Sequence, residues 1–282
     1  MQRIRLASVA YLNALPLTRG LTHGDDRGAY DLLMAPPCEC ARLLQEGWVD
    51  VALIPSIEFA RTAGLVPVPG TGVSSRHEVR SVLLLSRSEP ARIRSLAVDL
   101  NSRTSVALTR LILARRFGCR PRIESAPPEP ERMLEEHDAA LVIGDAALRT
   151  SLRLSREDPA FHGVRVLDLA REWHAMTRLP FVFAFWACRP VMPVSGMADV
   201  FRRSLEKGLA ALGAIADEEA GRTSLPAPLI ESYLRENIHY RLGPPETDSI
   251  RLFFRMCREE GILPGQARDA LSSTSSVTLN KG

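Results

Sequence analysis

Cysteine is sparse in this chain. The five residues Cys38, Cys40, Cys119, Cys188 and Cys257 are odd in number and irregular in spacing. Thiols scattered in this way suit a reducing compartment rather than a disulfide framework. Cys38-x-Cys40 has no second pair to complete a ligand set. The six histidines, His23, His77, His137, His162, His174 and His239, show no HxH or HExxH spacing, so no metal site is read from the sequence. Long apolar runs are missing too, and no segment approaches the roughly 18 residues a membrane helix needs. Arg3 and Arg5 imitate the start of a signal peptide. However, Arg5 and Ser8 interrupt the apolar stretch, and Asn13 and Pro16 end it without a small-x-small cleavage site. Neither charge sign dominates: 36 basic and 33 acidic residues are well mixed and leave a net +3. No basic run is interleaved with aromatics, which argues against nucleic-acid binding. Repeats and low-complexity tracts are absent. The remainder, 45% hydrophobic and 24% charged over 282 residues, is an ordinary soluble composition with room for one large or two medium domains. A cytoplasmic protein is expected.

What is present is alternation of strand and helix signals. Ile4–Val9 reads as a strand that runs into Tyr11-Leu12-Asn13 and then Pro16, a residue tolerated in the first helical turn. Helix N-termini carry partial positive charge and free N–H groups, so this turn suits an anion. Tyr30–Ala35, Val49–Pro55 and Val79–Leu85 read as further strands, with a helix over Glu39–Glu46 closed by Gly47. A polar stretch, Ser86–Ser95, reads as a crossover into a second α/β unit. There Leu96–Leu100 is a strand, Asn101–Ser105 a capping-rich turn, Val106–Phe117 a helix stopped at Gly118, and Asp138–Ile143 a buried strand ending in Gly144-Asp145. Leu179–Trp186 reads as the return crossover. Helices over Val200–Ile215, Pro228–Asn237 and Asp248–Glu260 and a frayed tail, Ser272–Gly282, complete the chain.

Strands alternating with short helices predict mainly parallel sheets. The expected architecture is a type II periplasmic-binding-protein-like α/β fold, with two lobes and a ligand cleft between them. Residues 1–87 and 188–282 would form the first lobe and 88–187 the second. Ligands in open α/β sheets lie beyond the carboxyl ends of the strands. Four such turns carry polar groups: Tyr11–Asn13, Pro55–Ile57 with Ser56, Asn101–Ser105, and Gly144–Asp145.

Val9-Ala10-Tyr11-Leu12-Asn13-Ala14-Leu15-Pro16-Leu17 resembles the opening of the menaquinone-pathway chorismate dehydratases. Asp50–Glu58, Val79–Leu84, Ser102-Arg103-Thr104-Ser105, Ile143–Ala146 and Leu179–Trp186 continue the resemblance in order. It implies conversion of chorismate to 3-[(1-carboxyvinyl)oxy]benzoate and water, the first step of the futalosine route, with no cofactor. It also implies catalytic roles for Asn13 and Ser81. Two positions depart from the family pattern. His77-Glu78 replaces a Gly-Pro-like turn, and Arg178 stands where Gly is usual and so bears on a helix cap.

Chorismate is a dianion one water short of an aromatic ring. The motifs offer no His or Lys as a base, and Glu58 and Asp145 are the carboxylates nearest the turns. This points to substrate-assisted chemistry, in which the enolpyruvyl carboxylate takes the C3 proton while Asn13 and Ser81 orient the reacting groups. Tyr11, Ser56, Arg80, Ser102, Arg103, Thr104, Ser105, Gly144 and Asp145 are the candidate substrate-binding residues. Plain N-capping also explains Ser102–Ser105 and Asp145, and a surface position also explains Arg80. His174 is expected to pack or lie at the surface. Phe181, Phe183, Phe185 and Trp186 are expected in the core. A small-anion binding protein and the related dihydroxynaphthoate synthase share the fold and remain alternatives. The sequence is compatible with a monomer or a homodimer.

Overall fold

The computed structural model describes residues 3–24, 28–99 and 102–265. Leu100, Asn101 and the tail Ser272–Gly282 lie outside the described residues. Eleven strands form two sheets among those described. They are β1 (Ile4–Ser8), β2 (Tyr30–Met34), β3 (Val51–Pro55), β4 (Val66–Ser75), β5 (Val82–Ser86), β6 (Ser95–Val98), β7 (Arg122–Ser125), β8 (Ala139–Ile143), β9 (Arg165–Asp168), β10 (Phe181–Cys188) and β11 (His239–Arg241). The first sheet has the order β11-β4-β10-β3-β1-β2 and the second β7-β6-β8-β5-β9. This is the expected pair of α/β lobes.

Both sheets are mixed rather than mainly parallel. β1 runs parallel to β2 and β3, and β6 runs parallel to β7 and β8. β10 is antiparallel to β3 and β4, and β5 is antiparallel to β8 and β9. The reason is topological. β5 and β10 are the strands by which the chain enters each sheet from the other lobe, so no βαβ crossover constrains their direction. For the same reason the expected boundaries at 87 and 187 each fall on the wrong side of a strand. β5 belongs to the second sheet and β10 to the first, so the chain crosses within 76–81 and 178–180. An apolar strand carries no mark of which sheet it joins.

β5 also shows why periodicity is silent there. Val82 and Leu84 join the large core shared by the lobes, while Leu83 and Leu85 join a separate cluster with Met133, Ala140, Val142 and Phe161. A strand covered on both faces reads as continuously apolar. β4 was not legible because Pro67, Pro69, Gly70 and Gly72 demote it as a strand. It pairs with β10 through two register shifts. Phe181, Phe185 and Trp186 are core, as expected, with Trp186 stacked on Phe201 at 4.0 Å between centroids. The His174 ring packs edge-on against His77, with centroids 4.9 Å apart.

The C-terminal helices return to brace the first lobe. The helix Val194–Ala210 packs on the helix Leu15–His23 so closely that a Cβ on Gly208 would fall 2.0 Å from the Pro16 carbonyl oxygen. Ser204 Oγ accepts from the Gly20 N–H at 3.1 Å and donates to the Leu17 carbonyl at 2.7 Å. At the start of β3, Asp50 gathers β1 and the end of β10. It accepts from the Arg5 N–H and guanidinium at 3.0 and 2.8 Å and from Arg189 at 2.6 Å. No helix among the described residues is long and apolar enough to cross a membrane.

The Arg5 guanidinium, against the opposing effect of burial, and with help from the Arg5 N–H and Arg189, holds the Asp50 carboxyl down at about 2. A depressed carboxyl contributes stability above its unfolded value and loses it as pH falls through the folded value. Asp50→Asn is therefore expected to cost about 2 kcal/mol at pH 7. In denaturant titrations that gap should close between about pH 4 and pH 2; a gap that ignores pH would remove the ion-pair account. Arg178 adopts φ +62° after the helix Leu169–Thr177, with its N–H donating to the His174 carbonyl at 2.8 Å. A Cβ is strained there, so Arg178→Gly should raise unfolding free energy by about 1 kcal/mol, read as a higher melting temperature.

Candidate functional site

A cleft of about 620 Å³, its open mouth included, lies between the sheets. Each lobe sends loop ends and helix starts into it. From the first lobe come Tyr11 and Asn13, with Leu53, Pro55, Val73, Phe183 and Ala184 as apolar floor. From the second come Ser102, Arg103, Thr104, Ser105, Ile143 and Gly144. Val79 and Ser81 enter from the crossover between them. Phe183 was expected in the core and instead lines the cleft.

Local sequence explains the geometry of each turn. After β1 the chain makes one 3₁₀ turn, Leu12–Ala14, and enters the helix Leu15–His23 with Pro16 in its first turn. Ser102 precedes the helix Arg103–Phe117 but makes no side-chain capping bond. The simple capping explanation for Ser102 therefore fails. Thr104 is engaged elsewhere: its Oγ1 accepts from the Ile57 N–H at 3.3 Å. Gly144 opens the helix Gly144–Ser155 at φ +59°, where a Cβ would also sit 3.2 Å from the Tyr11 ring. Glycine meets both demands at once.

Three expected binding residues stand behind the wall instead of in it. Ser56 is fully buried, and its Oγ donates to the Val182 carbonyl at 2.8 Å, tying β3 to β10. Asp145 accepts from the Leu12 N–H at 3.2 Å and from Arg222 at 3.1 Å, so it joins the second lobe to the first turn of the first. Arg80 contributes backbone: it sits at φ +58°, and its N–H donates to Asp168 at 2.7 Å. Ser56 and Asp145, each beside a strand end, satisfy a neighbouring backbone or side-chain group, which spacing alone does not reveal.

Sequence reasoning missed two residues. Asp168 accepts from the Val79 and Arg80 N–H groups and also from those of Ala170 and Arg171, whose helix it caps. Burial pushes its carboxyl up, against the pull of the backbone donors. Tyr233 is the other. Its hydroxyl donates to Ser81 Oγ at 2.8 Å across 152 residues of chain, and the Asn13 side chain interacts with the same hydroxyl. Only the S/T/D/N-before-helix pattern at Asp168 was available as a signal; Tyr233 had none.

The electrostatics of the cleft are one-sided. Arg103 is the single charged side chain among the described lining residues, and that lining contains no Asp, Glu, His or Lys. Burial, then the charges of Asp99 and Asp145, push the Tyr11 phenol up to about 12, so it stays protonated. Glu58 is turned away and paired with Arg61 at 2.8 Å. An arginine, two helix starts and several hydroxyls suit an anion bearing an apolar ring.

A family described as menaquinone biosynthesis matches residues 4–259. The chain belongs to that family. It is 32% identical over 255 residues to the chorismate dehydratase of Thermus thermophilus, covering 86% of this chain and 91% of that protein. It is 25% identical over 210 residues to the chorismate dehydratase of Campylobacter jejuni, covering 74% and 76%. Among solved structures it superposes on protein AF1704 of Archaeoglobus fulgidus with a TM-score of 0.71 at 17% identity, over 93% of this chain and 98% of that one. It superposes on the periplasmic aliphatic sulphonate binding protein SsuA of Escherichia coli with a TM-score of 0.68 at 15% identity, over 98% and 94%. These structures establish the periplasmic-binding-protein fold.

Asp168→Asn forces an N–H group toward a ring of N–H donors. It is expected to lower unfolding free energy by roughly 2–4 kcal/mol, measured by denaturant titration. A change below about 0.5 kcal/mol would show that the crossover does not depend on this carboxylate.

Proposed function

We propose that the chain is a cytoplasmic chorismate dehydratase that forms 3-[(1-carboxyvinyl)oxy]benzoate and water at the head of the futalosine route to menaquinone. The observation that carries this reading is a cleft suited to an anion whose described lining offers no general base, in a chain of the menaquinone-biosynthesis family. The chemistry then falls to the substrate. The C3 proton is acidified through the ring alkene by the ring carboxylate. The enolpyruvyl carboxylate takes that proton, the C3–H electron pair moves into the ring, and the C4–O bond breaks. The departing hydroxide receives the proton and leaves as water, and aromatisation drives the step.

In this reading the protein binds, orients and excludes water. Arg103 and the helix start at Ser102–Ser105 hold a carboxylate. Asn13 and Ser81 orient the enolpyruvyl carboxylate and the C4 hydroxyl. Tyr11 and Gly144 close one side, and the apolar floor with Phe183 takes the ring.

Purified, metal-free protein mixed with chorismate should yield a product lighter by one water, followed by chromatography and mass. Asn13→Ala and Ser81→Ala are each expected to lower kcat/KM by about 100-fold or more, whereas Arg103→Ala should raise KM by about 10-fold. Glu58→Gln should stay within about threefold of the parent, because its carboxylate lies outside the cleft. Turnover abolished by Glu58→Gln or Asp145→Asn with chorismate binding intact would replace the substrate-assisted route by an ordinary carboxylate base. Tight binding of chorismate without turnover would make the protein a small-anion binder.

A further inference from the structure

Tyr233 is 1% exposed, and it opens a π-helical turn, Tyr233–Asn237. π-turns interrupt α-helices at a cost and are frequent at functional sites. This one faces the first crossover at both its ends. The Tyr233 hydroxyl donates to Ser81 Oγ at 2.8 Å, and Asn237 Nδ2 donates to the Glu78 carbonyl at 3.2 Å. On the other side of the same crossover, Asp168 holds the Val79 and Arg80 N–H groups. The Ser81 carbonyl takes the Gly144 N–H at 2.7 Å. Ser81 is thus fixed in its backbone from two directions, and its side chain is addressed by Tyr233.

The direction of that hydrogen bond decides what the cleft receives. A phenol has one proton, and Tyr233 gives it to Ser81. Toward any further partner its oxygen is left only as an acceptor. Ser81 in turn receives a donor on its oxygen and must send its own proton elsewhere, and the cleft is the side it lines. We propose that Tyr233 is a positioning residue: its hydroxyl sets the direction of the Ser81 hydrogen bond, so that Ser81 presents a proton to the anionic ligand. The role rests on the dehydratase reading for its catalytic consequence, but the coupling between Tyr233 and Ser81 does not. Burial pushes the Tyr233 phenol well above its ordinary range, so the donor stays protonated across the range in which the protein works.

The test is a double-mutant cycle on the full chain with chorismate as substrate. Tyr233→Phe keeps the ring and its packing and removes only the hydroxyl. It is expected to lower kcat by about 10- to 50-fold with KM changed by less than about threefold. In the Ser81→Ala background the same change should cost less than about twofold, because the group through which Tyr233 acts is gone. Tyr240→Phe serves as control. That hydroxyl is also buried and has no hydrogen-bond partner among the described residues, and its loss should leave kcat within about twofold. Equal losses from Tyr233→Phe in both backgrounds, or a parent-like kcat in Tyr233→Phe, would overturn the proposal. A parent protein inert toward chorismate would sink the dehydratase reading alone. The coupling is then judged from denaturant unfolding of the same four proteins, where additive effects of Tyr233→Phe and Ser81→Ala overturn it and a shared effect sustains it.

Discussion

Asp168 accepts hydrogen bonds from four backbone N–H groups on two separate segments. Val79 and Arg80 belong to the first passage between the lobes. Ala170 and Arg171 begin the helix that leads into the second. One carboxylate therefore ties the first passage to the start of the helix that leads into the second. It also makes the left-handed conformation of Arg80 affordable: a non-glycine residue at φ +58° persists only where its surroundings over-determine it. The consequence lies one residue further on, because the turn at Arg80 delivers Ser81 to the cleft.

The same logic recurs wherever a wall of the cleft is built. The Leu12 N–H is held by Asp145 and the Ile57 N–H by Thr104, each donor on one lobe and each acceptor on the other. The Gly144 N–H reaches the Ser81 carbonyl. Strand ends and helix starts leave unpaired backbone groups, and burying them unpaired would cost a few kcal/mol each. Here several of them are paired across the interface, which ties the wall of the cleft from behind.

This division explains what was legible in the sequence and what was not. The turns at Tyr11–Asn13, Ser102–Ser105 and Gly144 were readable, because a strand running into capping residues marks a turn whatever the tertiary context. The fate of each polar side chain at such a turn was not. Ser56 and Asp145 have the same local signature as Asn13 and Ser102, yet Ser56 ties two strands of its own sheet together and Asp145 serves the neighbouring lobe. β5 and β10 were visible as strands but were assigned to the wrong sheets, because a strand buried on both faces has no polar side to place it. Tyr233 lay beyond reach entirely. Its helix reads as ordinary, and the partner that gives its hydroxyl meaning lies on the crossover after β4, a strand that prolines and glycines concealed.

The proposed dehydratase reading asks an anion-binding cleft to promote an elimination in which the ligand carries its own base. Binding such an anion calls for an arginine, helix starts and hydroxyls, and Arg103, Ser102, Gly144 and Ser81 are among the residues that line this cleft. A general base would have to be buried near those same groups, where desolvation and competing hydrogen bonds would shift its pKa away from the working range. Leaving the base to the ligand avoids that conflict. What catalysis then adds to binding is direction: each donor must favour the geometry in which a carboxylate oxygen meets the C3 proton over the many geometries that bind equally well. A serine hydroxyl free to rotate does not discriminate between them, whereas one held by a buried phenol does. On this view, the step from binding protein to enzyme lies less in the residues that touch the ligand than in the fixed hydrogen-bond directions imposed from behind them.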